Sequence, residues 1–130
     1  MSMELVERVK KISGVFTGTI WRVPNRIWTT GFAKNKPGED FHPGVVGRER
    51  NDGITATLIP GTSQETQKGT CVFKTRLTSF SKKSYFLISL SMPILIEDLE
   101  QLPRGWSRVK QLSDRQVKEL KMQVGFCKGL

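Results

Sequence analysis

The sequence predicts a mainly β domain, a small barrel or strongly curved sheet of roughly five or six short strands with a C-terminal helix. Three observations carry this prediction. Residues Phe41–Thr62 (FHPGVVGRERNDGITATLIPGT) hold two apolar runs joined by a polar, charged link, the pattern of a β-hairpin. Six prolines and twelve glycines spread over 130 residues divide the rest into short elements joined by turns. Strand-like and helix-like stretches do not alternate, so a doubly wound parallel sheet is excluded.

In chain order, residues 3–12 (MELVERVKKI) set Leu5, Val6, Val9 and Ile12 at helical spacing. A short amphipathic helix is expected there, as an extension (1–13) to a single domain over 14–130. Gly14 ends it, and the alternating, β-branched run Val15–Val23 predicts the first strand. Pro24–Asp40 is a long link with two prolines, two glycines, the cations Arg26, Lys34 and Lys36, and the rings Trp28 and Phe32. Cations for phosphates and rings for bases suit a single-stranded nucleic acid. The structural alternative is that both rings pin the loop to the core. Loops this long inside a compact domain are more often functional or mobile than idle.

The hairpin follows. Val45 and Val46 suit a buried strand, Ile54–Ile59 alternates as a second, and Asn51-Asp52-Gly53 tolerates the positive φ of a reversal. The outer ends of a hairpin lie together, so His42, the single histidine of the chain, is expected near Thr62 and Ser63. Beyond a polar turn at Gln64–Thr70, Cys71–Thr75 reads as a strand. Ser84–Ser91 is the most apolar strand and predicted to be central. Pro93 interrupts it, and Ile94–Leu99 continues as a strand or short turn. Leu102–Trp106 is a turn. Ser113 with Gln116 three residues later forms a capping-box signal opening a helix. Its packing face is Val117, Leu120 and Val124, with Gly125 as a candidate end.

A net charge of +9 and a pI near 9.9 favour a polyanionic partner, either nucleic acid or an acidic protein segment. No apolar run approaches the roughly 18 residues of a spanning helix, so no membrane association is expected. The charged N-terminus lacks the apolar core of a secretory signal, which predicts a cytoplasmic protein with Cys71 and Cys127 reduced.

The order of Gly-x-Ile-Trp strand, basic loop, His-Pro-Gly-Val-Val strand, Ile-Pro-Gly-Thr-Ser strand end and Leu-Ser-Asp-Arg-Gln-Val helix start resembles the MazF/PemK/Kid-type toxins of bacterial toxin–antitoxin pairs. The resemblance covers roughly Phe16 to Val124. It implies an SH3-like barrel of the CcdB/PemK type, a homodimer, metal-independent cleavage of single-stranded RNA, and neutralisation by an acidic antitoxin. The toxins' arginine before proline falls on His42, their strand-end threonine on Thr62 beside Ser63, and their basic loop on Arg22–Asp40. Two departures stand out. His42 is no permanent cation, and Ser89 and Ser91 supply neither the acid nor the arginine that some members place on the matching strand.

Metal-free RNA cleavage needs a base for the 2′-hydroxyl, an acid for the 5′-oxygen and donors for the charged phosphorane. Imidazole suits proton transfer near neutral pH. His42, Thr62 and Ser63 are the candidate catalytic residues; Arg22, Arg26, Trp28, Lys34, Lys36, Arg48 and Arg50 are the candidate RNA contacts. The structural alternatives are a strand-start histidine satisfied locally and hydroxyls that cap a turn. One histidine and two distant cysteines match no common metal-ligand spacing, so neither a metal nor another cofactor is expected. No G-x-S-x-G elbow supports a serine hydrolase. Three readings result: a toxin-like endoribonuclease, a non-catalytic barrel binding nucleic acid or an acidic partner, and a gyrase-directed toxin relative.

Overall fold

The computed structural model describes residues 14–49, 52–64, 71–77, 83–106 and 111–128. The predicted helix at 3–12, Arg50, Asn51 and most of the polar turn (65–70) lie outside the described residues. Six strands form the sheet: β1 Ile20–Pro24, β2 Phe41–Glu49, β3 Thr55–Thr62, β4 Val72–Arg76, β5 Lys83–Leu87 and β6 Met92–Leu95. Two helices follow, α1 Ile96–Glu100 and α2 Asp114–Lys128. The strand order is β1-β2-β3-β5-β4, with β6 also on β3, and every pairing is antiparallel.

The expected hairpin is present as β2 and β3. At its turn Gly53 takes φ 71°, and the Asp52 carboxylate accepts the N–H groups of Ile54 and Thr55. Along β2, Val45 and Val46 point to opposite faces, into two separate core clusters; Ile59 and Leu58 of β3 do the same. One cluster lies with the Pro24–Asp40 loop through Trp28 and Phe32. The other lies under α2 through Leu120, Val117 and Val124. Burial on both faces explains why the hairpin strands read as apolar runs.

The remaining elements correct the sequence reading in places. The first strand starts at Ile20, because Gly14 and Gly18 adopt φ 85° and 96° and turn the chain before it. The predicted Ser84–Ser91 strand is broken by a 3-10 turn at Ile88–Leu90. Gly61 opposes Phe86 and Leu58 opposes Met92, so three steps along β3 match six along its partner. The extra three residues are the turn, which lets β5 and β6 follow one another along β3. Pro93 is accommodated in β6, and Ile96–Glu100 is helical rather than extended. The Ser113–Gln116 capping box forms reciprocally: the Gln116 N–H donates to Ser113 Oγ at 3.2 Å and the Ser113 N–H to Gln116 Oε1 at 2.9 Å. α2 continues through Gly125 to Lys128.

Gly61 sits where β3 passes from β2 to β5. A Cβ there would lie 2.6 Å from the Phe86 ring and 3.1 Å from Pro43 Cγ. Both neighbours are rigid and Phe86 is fully buried. Gly61→Ala is therefore expected to lower stability by about 1–3 kcal/mol through overpacking, measured by urea unfolding.

Candidate nucleic-acid interface

His42 lies at the start of β2, opposite Val23 of β1. The loop that returns from β1 to β2 is closed by Asn25, which is buried in a 3-10 turn. The Asn25 N–H donates to the Asp40 carbonyl at 2.7 Å, its Nδ2 donates to the Pro37 carbonyl at 2.9 Å, and its Oδ1 meets His42 Nδ1 at 2.5 Å. The Phe32 ring stands edge-on to His42 at 5.0 Å and to Trp28 at 5.5 Å. Trp28 and Phe32 are 6% and 8% exposed. Of the two readings of the loop's rings, the structure supports pinning: neither ring offers a face on which a base could stack.

A carbonyl can only accept, so the Pro37 contact orients the Asn25 amide with its oxygen toward the imidazole. His42 Nδ1 must then carry the hydrogen, and in the neutral ring Nε2 carries the lone pair. Burial lowers the His42 pKa below its usual 6.5 first, the Lys36 cation lowers it further, and Asp40 partly opposes this. His42 is thus a neutral base at pH 7 and no replacement for an arginine's fixed charge.

Thr62 and Ser63 end β3. The last registered pair of the β2–β3 ladder is Gly44 with Pro60, and Thr62 pairs instead with Tyr85 of β5. The two strand ends remain together, since Pro43 reaches Gly61, but His42 and Thr62 bond to different partners. Thr62 Oγ1 accepts the Gln64 N–H at 3.2 Å, a turn-capping role that leaves the hydroxyl hydrogen available to donate. Ser63 is exposed.

The cations divide into separate groups. Arg26, Lys34 and Lys36 are exposed on the loop. Arg22 is packed rather than free, its guanidinium 4.1 Å from the Phe41 ring and 5.7 Å from Trp106. Arg48 is exposed at the hairpin end of β2, six residues and about 20 Å of strand from His42. It therefore cannot share a phosphate with His42. The sequence reading missed a further set. Lys74, Arg76, Lys83 and Tyr85 occupy alternate, outward positions of β4 and β5, with Lys74 opposite Tyr85 and Arg76 opposite Lys83. Thr62 lies in the same cross-strand row as Tyr85 and Lys74. Like charges directly opposed weaken a sheet, and among the described residues neither Arg76 nor Lys83 has an acidic partner. The alternation of VFKTR and KSYFL was the available signal.

No family profile matches the sequence, and no curated protein matches it. Solved structures do. The MazE–MazF complex (Form-II) of Deinococcus radiodurans aligns with TM-score 0.51 at 11% identity, covering 87% of this chain and 92% of the other. MazF (Form-I) of the same organism aligns with TM-score 0.50 at 12% identity, covering 87% and 94%. The chain has the fold of the MazF toxins. The predicted mainly β barrel with its C-terminal helix is therefore present, and the likeness to MazF-type toxins seen in short sequence motifs extends to a fold that aligns over 87% of the chain at 11–12% identity. Among the described residues no three His, Cys, Asp or Glu side chains cluster as metal ligands, and no helix is long and apolar enough to cross a membrane.

Because the folded protein holds His42 less basic than the unfolded chain does, the unfolded state binds more protons as pH falls through about 6.5. The stabilisation is complete above that value and declines toward the lower, folded pKa. The melting temperature should fall from pH 7 to pH 5, with a shallower slope in His42→Gln. Equal slopes would show that His42 is not held neutral.

Proposed function

We propose that the protein is a toxin-type endoribonuclease that cleaves single-stranded RNA without a metal. The observation that carries this reading is a neutral, oriented imidazole at the start of β2, where the resemblance places the toxins' arginine, in a barrel of MazF fold. In the proposed reaction His42 Nε2 takes the proton of a ribose 2′-hydroxyl, and the 2′-oxygen attacks phosphorus. The bond to the 5′-oxygen breaks, leaving a 2′,3′-cyclic phosphate and a 5′-hydroxyl that takes its proton from water. The Thr62 hydroxyl and the backbone N–H groups beside Gly61 and Ser63 are suited to donate to phosphate oxygens. Lys36 supplies fixed charge near the imidazole. An antitoxin-like partner belongs to the same reading, since one neighbouring structure is a MazE–MazF assembly, and the resemblance adds that the partner is acidic and the protein a homodimer.

A second reading rests on the β4–β5 face. Lys74, Arg76 and Lys83 around Tyr85, with no acidic partner among the described residues, favour a polyanion-binding barrel whether or not RNA is cut.

Incubation of the protein with a long unstructured RNA in excess EDTA separates the two. The endoribonuclease reading expects fragments ending in cyclic phosphate. His42→Ala should reduce the rate by about 100-fold or more, the usual contribution of general-base catalysis, and Thr62→Ala should also slow it. Intact RNA with salt-dependent binding would establish the binding module instead. In either case the double change Arg76→Gln with Lys83→Gln should make the slope of log K against log salt shallower by about 1.4, at roughly 0.7 per lost phosphate contact.

A further inference from the structure

The resemblance puts a permanent cation where this chain has His42, and the structure surrounds that imidazole with a residue the sequence did not single out. Asn25 is 4% exposed, and both ends of its side-chain amide are used. Nδ2 donates to Pro37 O at 2.9 Å and Oδ1 faces His42 Nδ1 at 2.5 Å. The backbone around it is fixed as well, through Asn25 N–H to Asp40 O and Arg26 N–H to Gly38 O at 3.2 Å. The amide therefore cannot turn over without breaking its bond to Pro37 and setting an N–H against the Nδ1 hydrogen. A histidine that merely filled space beside Phe32 would require no such orientation.

We infer that Asn25 is a positioning residue, holding His42 in the tautomer whose Nδ1 carries the hydrogen and whose Nε2 is the proton acceptor for an RNA 2′-hydroxyl. This rests on the function proposed above. The free imidazole has two neutral tautomers, and the one with hydrogen on Nε2 has no lone pair there. Without Asn25 the base is present but partly blocked. Among the described residues the other neighbours do not select a tautomer: Val23 and Phe32 are apolar, and Lys36 and Asp40 act on the ring through their charge. Asn25 thus supplies orientation, while the loop cation helps keep the ring neutral.

The chain has one histidine, so its ring nitrogens can be read individually by 15N NMR. In the wild-type protein at pH 7.5 or above, on the order of one unit over the free imidazole value, Nε2 should show the shift of an unprotonated nitrogen and Nδ1 that of a protonated one. Asn25→Asp keeps an acceptor at Nδ1 but adds a negative charge. It should retain the tautomer while moving the acidic limb of the cleavage–pH profile up by about one unit, close to a tenfold loss of rate below that limb. Asn25→Ala removes the acceptor and should lower the rate about tenfold or more at every pH, with mixed tautomers in the spectrum. A residue needed only for loop structure would give the same loss in both variants and no pH shift. That result overturns the inference. Should neither variant fold, the wild-type spectrum decides: an unprotonated Nδ1 overturns the inference even if RNA is cleaved. The expected tautomer in a protein that leaves RNA intact overturns the part of Asn25 in RNA cleavage together with the proposed nuclease, and shows that the chemistry failed and not the positioning.

Discussion

The pairing of β3 is the constraint on which the rest of the structure depends. Its eight residues hydrogen-bond β2 along one edge and, along the other, β6 and then β5. Sheets of this size gain cooperativity when a middle strand satisfies both rows of backbone groups, because an unpaired N–H or C=O in the interior costs about 1–3 kcal/mol. The transition from β6 to β5 is possible because the 3-10 turn at Ile88–Leu90 absorbs three residues of register and because Gly61 lets Phe86 lie against the strand. Gly44 and Gly47 do the same on β2. Cβ atoms there would press on Val23, Leu58 and Ile59, and the ladder is irregular between Val46 and Arg48. Close approach of backbones curves the sheet into a barrel with a core on each face.

Burial on both faces leaves little freedom for polar groups near the barrel's end, and Asn25 is the result. Trp28 and Phe32 draw the loop onto one core cluster, which carries Asn25 inside. A buried amide is costly unless both of its ends are bonded, and Pro37 and His42 are the partners within reach. The same packing that satisfies Asn25 therefore orients the imidazole. Burial of the ring then disfavours its charged form, and the exposed Lys36 cation adds to this. Core packing, loop geometry and the protonation of His42 form one chain of causes.

The surface charge has a different origin. Lys74, Arg76 and Lys83 are brought together by cross-strand register, each being an ordinary outward residue of its own strand. Their mutual repulsion is tolerated because the buried Phe73 and Phe86 hold the two strands from the other side. These cations share one face with Tyr85 and Thr62, which is the basis of the proposed polyanion-binding reading.

Sequence by itself determined the β-hairpin, the turn at Asp52-Gly53, the capped C-terminal helix with its Val117, Leu120 and Val124 face, and the candidate importance of His42. These features depend on local chemistry: alternation, positive φ, capping and the identity of a single titratable side chain. Only the tertiary structure decided that Trp28 and Phe32 serve the core, that Arg22 is held between rings, that Arg48 stands far from His42, and that Thr62 joins Tyr85. It also decided the role of Asn25, whose partners lie 12 and 17 residues away. The reason is physical. Pairing register and burial are properties of contacts between distant segments, and no local pattern records which strand will occupy the second edge of β3.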